Sequence, residues 1–154
     1  MNNILIIGCC GVGKTWVMKK LLTESEKRYK LGKINFHENK KMIIVGKYDG
    51  SVFEGSDKLS MSSITDIEKV LKYANNKLTI WEGDRFMNKT FLSKANPFII
   101  KIKGDGQSGR LKRGTKQSQR QIKSIQTRVT NIKENVLLEN SSDCLNFILN
   151  YEKN

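Results

Sequence analysis

The chain alternates short apolar runs with longer amphipathic stretches, and the period of each predicts an element. Residues 4–7 are a continuous apolar run closed by Gly8, the pattern of a central strand buried on both faces. Residues 14–22 carry Val17, Leu21 and Leu22 at helical spacing with no Gly or Pro, which predicts a helix. Residues 33–36 and 42–47 are β-branched or apolar runs on either side of the polar His37-Glu38-Asn39-Lys40, which predicts a hairpin. Residues 63–75 place Ile64, Ile67, Val70 and Leu71 on one helical face, and 78–81 read as a second buried strand. A helix over 86–94 leads through Pro97 into a strand over 98–102; a helical pattern over 116–133, a strand over 135–138 and a helix over 142–151 follow. Such alternation implies a three-layer α/β fold with a mainly parallel sheet.

Two stretches interrupt the alternation. Residues 48–61, rich in Gly, Asp and Ser, read as a functional loop, and 104–114 are glycine-rich and charged. With the start of the next helix, the latter makes a lid over about 104–126 of a single domain spanning 1–154. The apolar run at the start stops at Gly8, short of the roughly 20 residues a membrane span needs, and no leader precedes it; the expectation is a cytoplasmic protein with no membrane partner.

Charge sharpens this picture. Lys and Arg number 28 against 15 Asp and Glu, a formal net charge of +13, which points to a polyanionic partner such as nucleotide or DNA. The excess is also local: Lys101, Lys103, Arg110, Lys112, Arg113, Lys116, Arg120, Lys123, Arg128 and Lys133 are opposed across that stretch only by Asp105. On a helical projection Ile122, Ile125, Val129 and Ile132 share one face, with Arg113, Lys116, Arg120, Lys123 and Thr127 opposite. Arg110 and Arg128 fall between, where they could clamp phosphate. Those phosphates could belong to ATP, to DNA or to both. Three cysteines form neither a disulfide framework nor a metal-binding spacing, which suits a reducing compartment, and His37 reads as structural or solvent-facing.

The segment Gly8-Cys9-Cys10-Gly11-Val12-Gly13-Lys14-Thr15 matches G-x-x-x-x-G-K-[ST] at every position, after a predicted strand and before a predicted helix. Glycines let backbone N–H groups wrap a polyphosphate while the helix presents its positive end. Nucleotide is expected on Gly8, Gly11, Val12, Gly13, Lys14, Thr15 and Trp16, with Lys14 on the β- and γ-phosphates and Thr15 on Mg²⁺. Cys9 and Cys10 read as small spacers whose thiol pKa the helix end would lower. Glu82 and Asp84 follow a predicted strand, and either could hold Mg²⁺ or its water; Arg85 could touch phosphate or brace one of them. Asp57, within residues 55–61, reads either as a base for an attacking hydroxyl or as an Asx-turn residue with no chemistry.

Taken in order, Gly46-Lys47-Tyr48-Asp49 with residues 55–61, then Glu82 to Arg85, then Arg110 to Gly114, Gln117 and Thr127-Arg128, the chain resembles phage P-loop kinases. More narrowly it is similar to the 5-hydroxymethyluridine DNA kinases, which phosphorylate the base hydroxymethyl group in phage DNA on the way to hypermodified thymine. The likeness runs over nearly the whole chain. It implies a P-loop kinase fold, ATP and Mg²⁺ at Gly8 to Thr15, acceptor handling near Asp57 and Glu82 to Arg85, and a basic lid carrying Arg110, Arg113 and Arg128. The resulting expectation is transfer of the γ-phosphate of ATP to a hydroxyl on a modified base in DNA. Lys14, Asp57, Arg110 and Arg128 would be catalytic, and Asp57, Glu82, Asp84, Arg85, Arg113, Lys116, Arg120 and Lys123 would hold the substrate. Two alternatives stand beside it: a kinase of a free nucleoside, nucleotide or small metabolite, and a nucleic-acid-stimulated ATPase or switch. A Ras-like GTPase is disfavoured because Asn88-Lys89-Thr90-Phe91 lacks the aspartate that reads guanine.

Overall fold

Ile4, Leu5, Ile6 and Ile7 are completely buried, and their strand takes the centre of the sheet in a computed structural model. The structure describes residues 2–22, 26–48, 50, 65–114 and 117–153. In chain order the strands are β1 (Asn3–Ile7), β2 (Lys27–Leu31), β3 (Ile34–Glu38), β4 (Met42–Val45), β5 (Leu78–Glu82), β6 (Phe98–Ile102) and β7 (Val136–Leu138). The helices are α1 (Lys14–Leu21), α2 (Ile67–Ala74), α3 (Lys89–Ala95), α4 (Gln107–Arg113), α5 (Gln119–Asn131) and α6 (Ser141–Lys153), and a 3₁₀ turn lies at Asp84–Phe86.

The seven strands lie in the order β2-β3-β4-β5-β1-β6-β7. The five from β4 to β7 are mutually parallel, and β2 and β3 extend one edge as an antiparallel ribbon. Because side chains alternate along β1, Leu5 and Ile7 enter one core with Ile67 and Val70 of α2, Phe91 of α3 and Ile125 and Val129 of α5. Ile4 and Ile6 enter the other, with Val17, Met18 and Leu21 of α1 and Cys144 and Ile148 of α6. Helices therefore cover both faces, as a central parallel strand requires. The Trp81 indole, wholly buried, donates to Asn3 Oδ1 at 3.0 Å and meets Phe86 and Phe91 edge-on at 5.0 and 4.9 Å. That contact ties β5 to β1.

The chain leaves β1 toward β4 and leaves β6 toward β7, so the connections diverge between adjacent strands. This divergence opens a crevice at their carboxyl ends, where the loop over residues 8–13 begins.

Several elements differ from the sequence expectation. The hairpin pairs β3 with β4 as expected, but His37 and Glu38 belong to β3, and Asn39 forms the turn by accepting the Lys41 and Met42 N–H groups. The ribbon strand β2 is an addition. Residues 107–113, read as a glycine-rich segment, form α4. The helix expected from 116 begins at Gln119 because Ser118 caps it, with Gln121 reciprocating in a capping box. The helix expected over 86–94 is divided: the 3₁₀ turn ends, and Asn88 caps α3 by accepting the Phe91 N–H at 2.9 Å. No helix among the described residues is long and apolar enough to cross a membrane.

His37, the single histidine, is buried and structural. Its Nδ1 lies 3.1 Å from Glu26 Oε1, and its Nε2 accepts the Tyr48 N–H at 3.3 Å. The second bond needs an unprotonated Nε2, hence a neutral ring. Burial lowers the His37 pKa below its ordinary value, and Glu26 pulls the other way without prevailing. The folded state thus binds fewer protons than the unfolded one, so this contribution is complete above pH ~6.5 and is lost as pH falls through it. The urea midpoint is expected to drop between pH 7.5 and 5.5, and the drop should shrink in His37→Gln. An equal drop in both proteins would exclude His37 as its source.

Candidate functional site

The loop between β1 and α1 owes its shape to glycine. Gly13 holds φ 100°, which L side chains rarely adopt, and no side chain caps α1 there. The first amides of α1 are therefore left directed toward the crevice with the positive end of the helix. Lys14 Nζ lies back over the loop, donating to the Gly8 and Cys9 carbonyls at 2.9 and 3.1 Å.

Thr15 and Glu82, far apart in sequence, meet beneath this loop. The Thr15 hydroxyl donates to Glu82 Oε1 at 3.5 Å, and Glu82 is only 3% exposed at the carboxyl end of β5. Two residues on, beyond Gly83, Asp84 faces the other way and pairs with Arg128 of α5, Oδ2 to Nη2 at 3.3 Å. The sequence left Glu82 and Asp84 equivalent; the structure gives them different partners. Arg85 lines the cavity, and its Nε is buried with no hydrogen-bond partner.

Helix α4 sits directly on the loop. A β-carbon on Gly109 would overlap the Gly11 carbonyl oxygen, and one on Gly106 would overlap that of Cys10. Arg110 Nη1, carried on the next residue, donates to the Cys10 carbonyl at 2.8 Å and to that of Asp105. Arg110 is thus brought to the glycine loop, through backbone contacts invisible in a projection.

Loop, α1, β5, α4 and α5 together enclose a cavity of about 1150 Å³. Among the described residues, Lys14, Lys19, Lys20, Arg85, Arg110, Lys112, Arg120 and Arg128 line it against Glu82 and Asp84. On α5 the lining residues are Arg120, Gln121, Ser124, Ile125 and Arg128. Lys123, grouped with Arg120 in the sequence projection, is exposed and off this wall, two positions and so about 200° from both Gln121 and Ile125. Trp16 lines the cavity as well. Sequence reading missed Lys19, Lys20 and Gln121, and named Lys112 only as part of the basic tract; for Lys19 and Lys20 the signal was their i+3 and i+4 spacing from Trp16. Asp57, Lys116 and the Arg113 side chain lie outside the described residues.

Cys9 departs from its expectation. Burial pushes its thiol pKa up, and the nearby Lys14 cation only moderates this. The thiol sits before the turn at Gly13, off the helix end, which favours the inert-spacer reading over a reactive one. Among the described residues no cluster of three or more His, Cys, Asp or Glu side chains could hold a metal ion.

No family model, curated protein or solved structure matches this chain.

The contact between α4 and the loop yields a test whose sign is decisive. Alanine in place of an exposed helical glycine stabilises by about 1 kcal/mol, whereas overpacking costs about 1–3 kcal/mol. Gly109→Ala should lower Tm and speed tryptic cleavage after Arg110, and Ser108→Ala, on the exposed side of α4, should do neither. A raised Tm in Gly109→Ala would show that α4 does not dock this closely.

Proposed function

We propose that this chain is an ATP-dependent phosphotransferase of the P-loop kinase kind, acting on a hydroxyl of a modified base in DNA, 5-hydroxymethyluracil being the acceptor of choice. The observation that carries the reading is the contact between the Thr15 hydroxyl and the buried Glu82 carboxylate beneath a glycine loop that ends in Lys14. A carboxylate this buried is costly unless hydrogen-bonded or matched by positive charge. Together with the threonine hydroxyl it offers the hard oxygen donors that suit Mg²⁺. Mg²⁺ held by Thr15 and Glu82 would neutralise charge on the transferring phosphoryl group.

The remaining roles fall to side chains that converge on the cavity. The α1 amides and Lys14 bind and orient the triphosphate, and Arg110, fixed to the loop carbonyl of Cys10, stands at its flank. Arg128 is steered by Asp84. Strand order adds support, since the loop leaves the central strand at the point where connections diverge.

Charge favours a polyanionic acceptor. Among the described lining residues cations outnumber carboxylates eight to two, a balance that suits an acceptor bringing negative charge of its own better than a neutral nucleoside or metabolite. DNA brings its own phosphates. Binding should then weaken steeply with salt, each neutralised phosphate releasing counterion.

The test is transfer of labelled γ-phosphate from ATP to parallel acceptors: DNA containing 5-hydroxymethyluracil, ordinary DNA, RNA, and free nucleosides and nucleotides. Label is expected in the modified DNA alone, with Lys14→Ala and Thr15→Ala each reducing the rate about 10²-fold or more. Asp57→Asn should abolish transfer while sparing ATP binding, as a base role requires. Label confined to a free nucleoside or nucleotide would overturn the polymer acceptor, and DNA-stimulated ATP hydrolysis with no labelled acceptor would overturn the kinase.

A further inference from the structure

Trp16 is 41% exposed, although the core has room for Trp81 to be wholly buried. The third residue of α1, it projects from the solvent side of the helix beside the phosphate loop, on the wall of the cationic cavity. Lys19 and Lys20 follow at i+3 and i+4, hence on the same face, and the Lys20 ammonium lies 5.7 Å from the centre of the indole ring. Lys112 and Arg120 stand on the opposing α4 and α5 wall. The exposed indole, with the Lys20 ammonium over its ring, thus lies among cations on the cavity wall.

A hydrophobic contact does not explain this placement, because the apolar residues of α1 that enter the core are Val17, Met18 and Leu21. A face selected only for solubility would carry lysines and no indole. Cationic rails flanking an aromatic surface are what an unpaired nucleic-acid strand requires: its phosphates follow the cations, and a base covers the ring. Duplex DNA offers phosphates but keeps its base faces stacked inside.

We infer that Trp16, with Lys19, Lys20, Lys112 and Arg120, forms a stacking platform for an unpaired base of single-stranded DNA running out of the cavity along α1. The inference deepens the acceptor part of the function proposed above by giving the acceptor strand its form at the cavity rim. Its geometry stands apart from phosphoryl transfer.

Intrinsic fluorescence tests it, because the chain has two tryptophans and Trp81 is buried out of reach of a ligand. Oligothymidylate, with neither ATP nor Mg²⁺ present, is expected to quench the Trp16 emission and bind more tightly than a duplex of equal length. Trp16→Ala should weaken binding about tenfold or more, and Trp16→Phe should recover most of the loss. Lys20→Gln should reduce the salt slope by about one. Unchanged affinity in Trp16→Ala, equal affinity for duplex, or quenching by MgATP that excludes the oligonucleotide would overturn the platform, the last by giving Trp16 to the base of ATP. Filter retention of labelled ATP on the same wild-type samples separates the two proposals. Intact ATP binding with no strand quenching sinks the platform alone, whereas strand quenching in a protein that transfers no phosphate sinks only the phosphotransferase.

Discussion

The architecture of the site depends on backbone meeting backbone where three β-carbons are missing. Gly11, Gly106 and Gly109 let the start of α4 rest on the carbonyls of the loop after β1, an approach that any side chain at these positions would block. Arg110 follows Gly109 directly, so the same contact delivers a guanidinium to the Cys10 carbonyl. Close packing transmits small displacements, so an α4 held even slightly further out would carry Arg110 with it. α4 is therefore fixed at its start by steric absence and left exposed farther along, at Leu111 and Lys112.

The sheet positions the other half of the site. β1 and β5 are neighbours in register, Ile6 opposite Glu82, so the end of β5 lies beside the start of the loop. Trp81, one residue before Glu82, anchors that end through Asn3 and the Phe86 and Phe91 rings. Side-chain alternation turns Trp81 into the core on one face and Glu82 toward Thr15 on the other. Gly83 and the 3₁₀ turn then redirect the chain, which is why Asp84, so close in sequence, meets Arg128 on a different helix.

The sequence made legible those parts governed by local pattern. β1, α1, β5, β6 and the β3–β4 hairpin each carry a period or an uninterrupted apolar run that no competing element shares. β2 escaped because Lys27, Arg28, Tyr29 and Lys30 are all exposed; an edge strand protected by charge has no buried face to give it a period. α4 escaped because Gly106 and Gly109 read as helix breakers, and their reason is a tertiary contact with residues about a hundred positions away. The loop, Thr15, Glu82 and Asp84 were found by motif and by position after a strand. The pairing of Glu82 with Thr15 and of Asp84 with Arg128 was not, since pairing across the sheet leaves no trace in local spacing. Lys123 shares the basic side of α5 with Arg120 but does not line the cavity, a difference that depends on how α5 packs and not on its local spacing.

The cationic cavity has an energetic consequence that bears on why it exists. Eight basic groups lining one cavity repel one another, and among the described residues that line it only Glu82 and Asp84 oppose them. In a low-dielectric recess that repulsion is less screened than on an open surface, so it works against folding. A stability-driven sequence would disperse these charges or interleave acids, as the paired lysines elsewhere in this chain do: Lys77 with Glu38, Lys69 with Asp66, Lys101 with Glu134. Concentrating cations around the glycine loop leaves a repulsion that a bound polyanion would relieve, stabilising the fold by mass action. On the proposed function, stability and ligand binding would then be coupled through the same side chains.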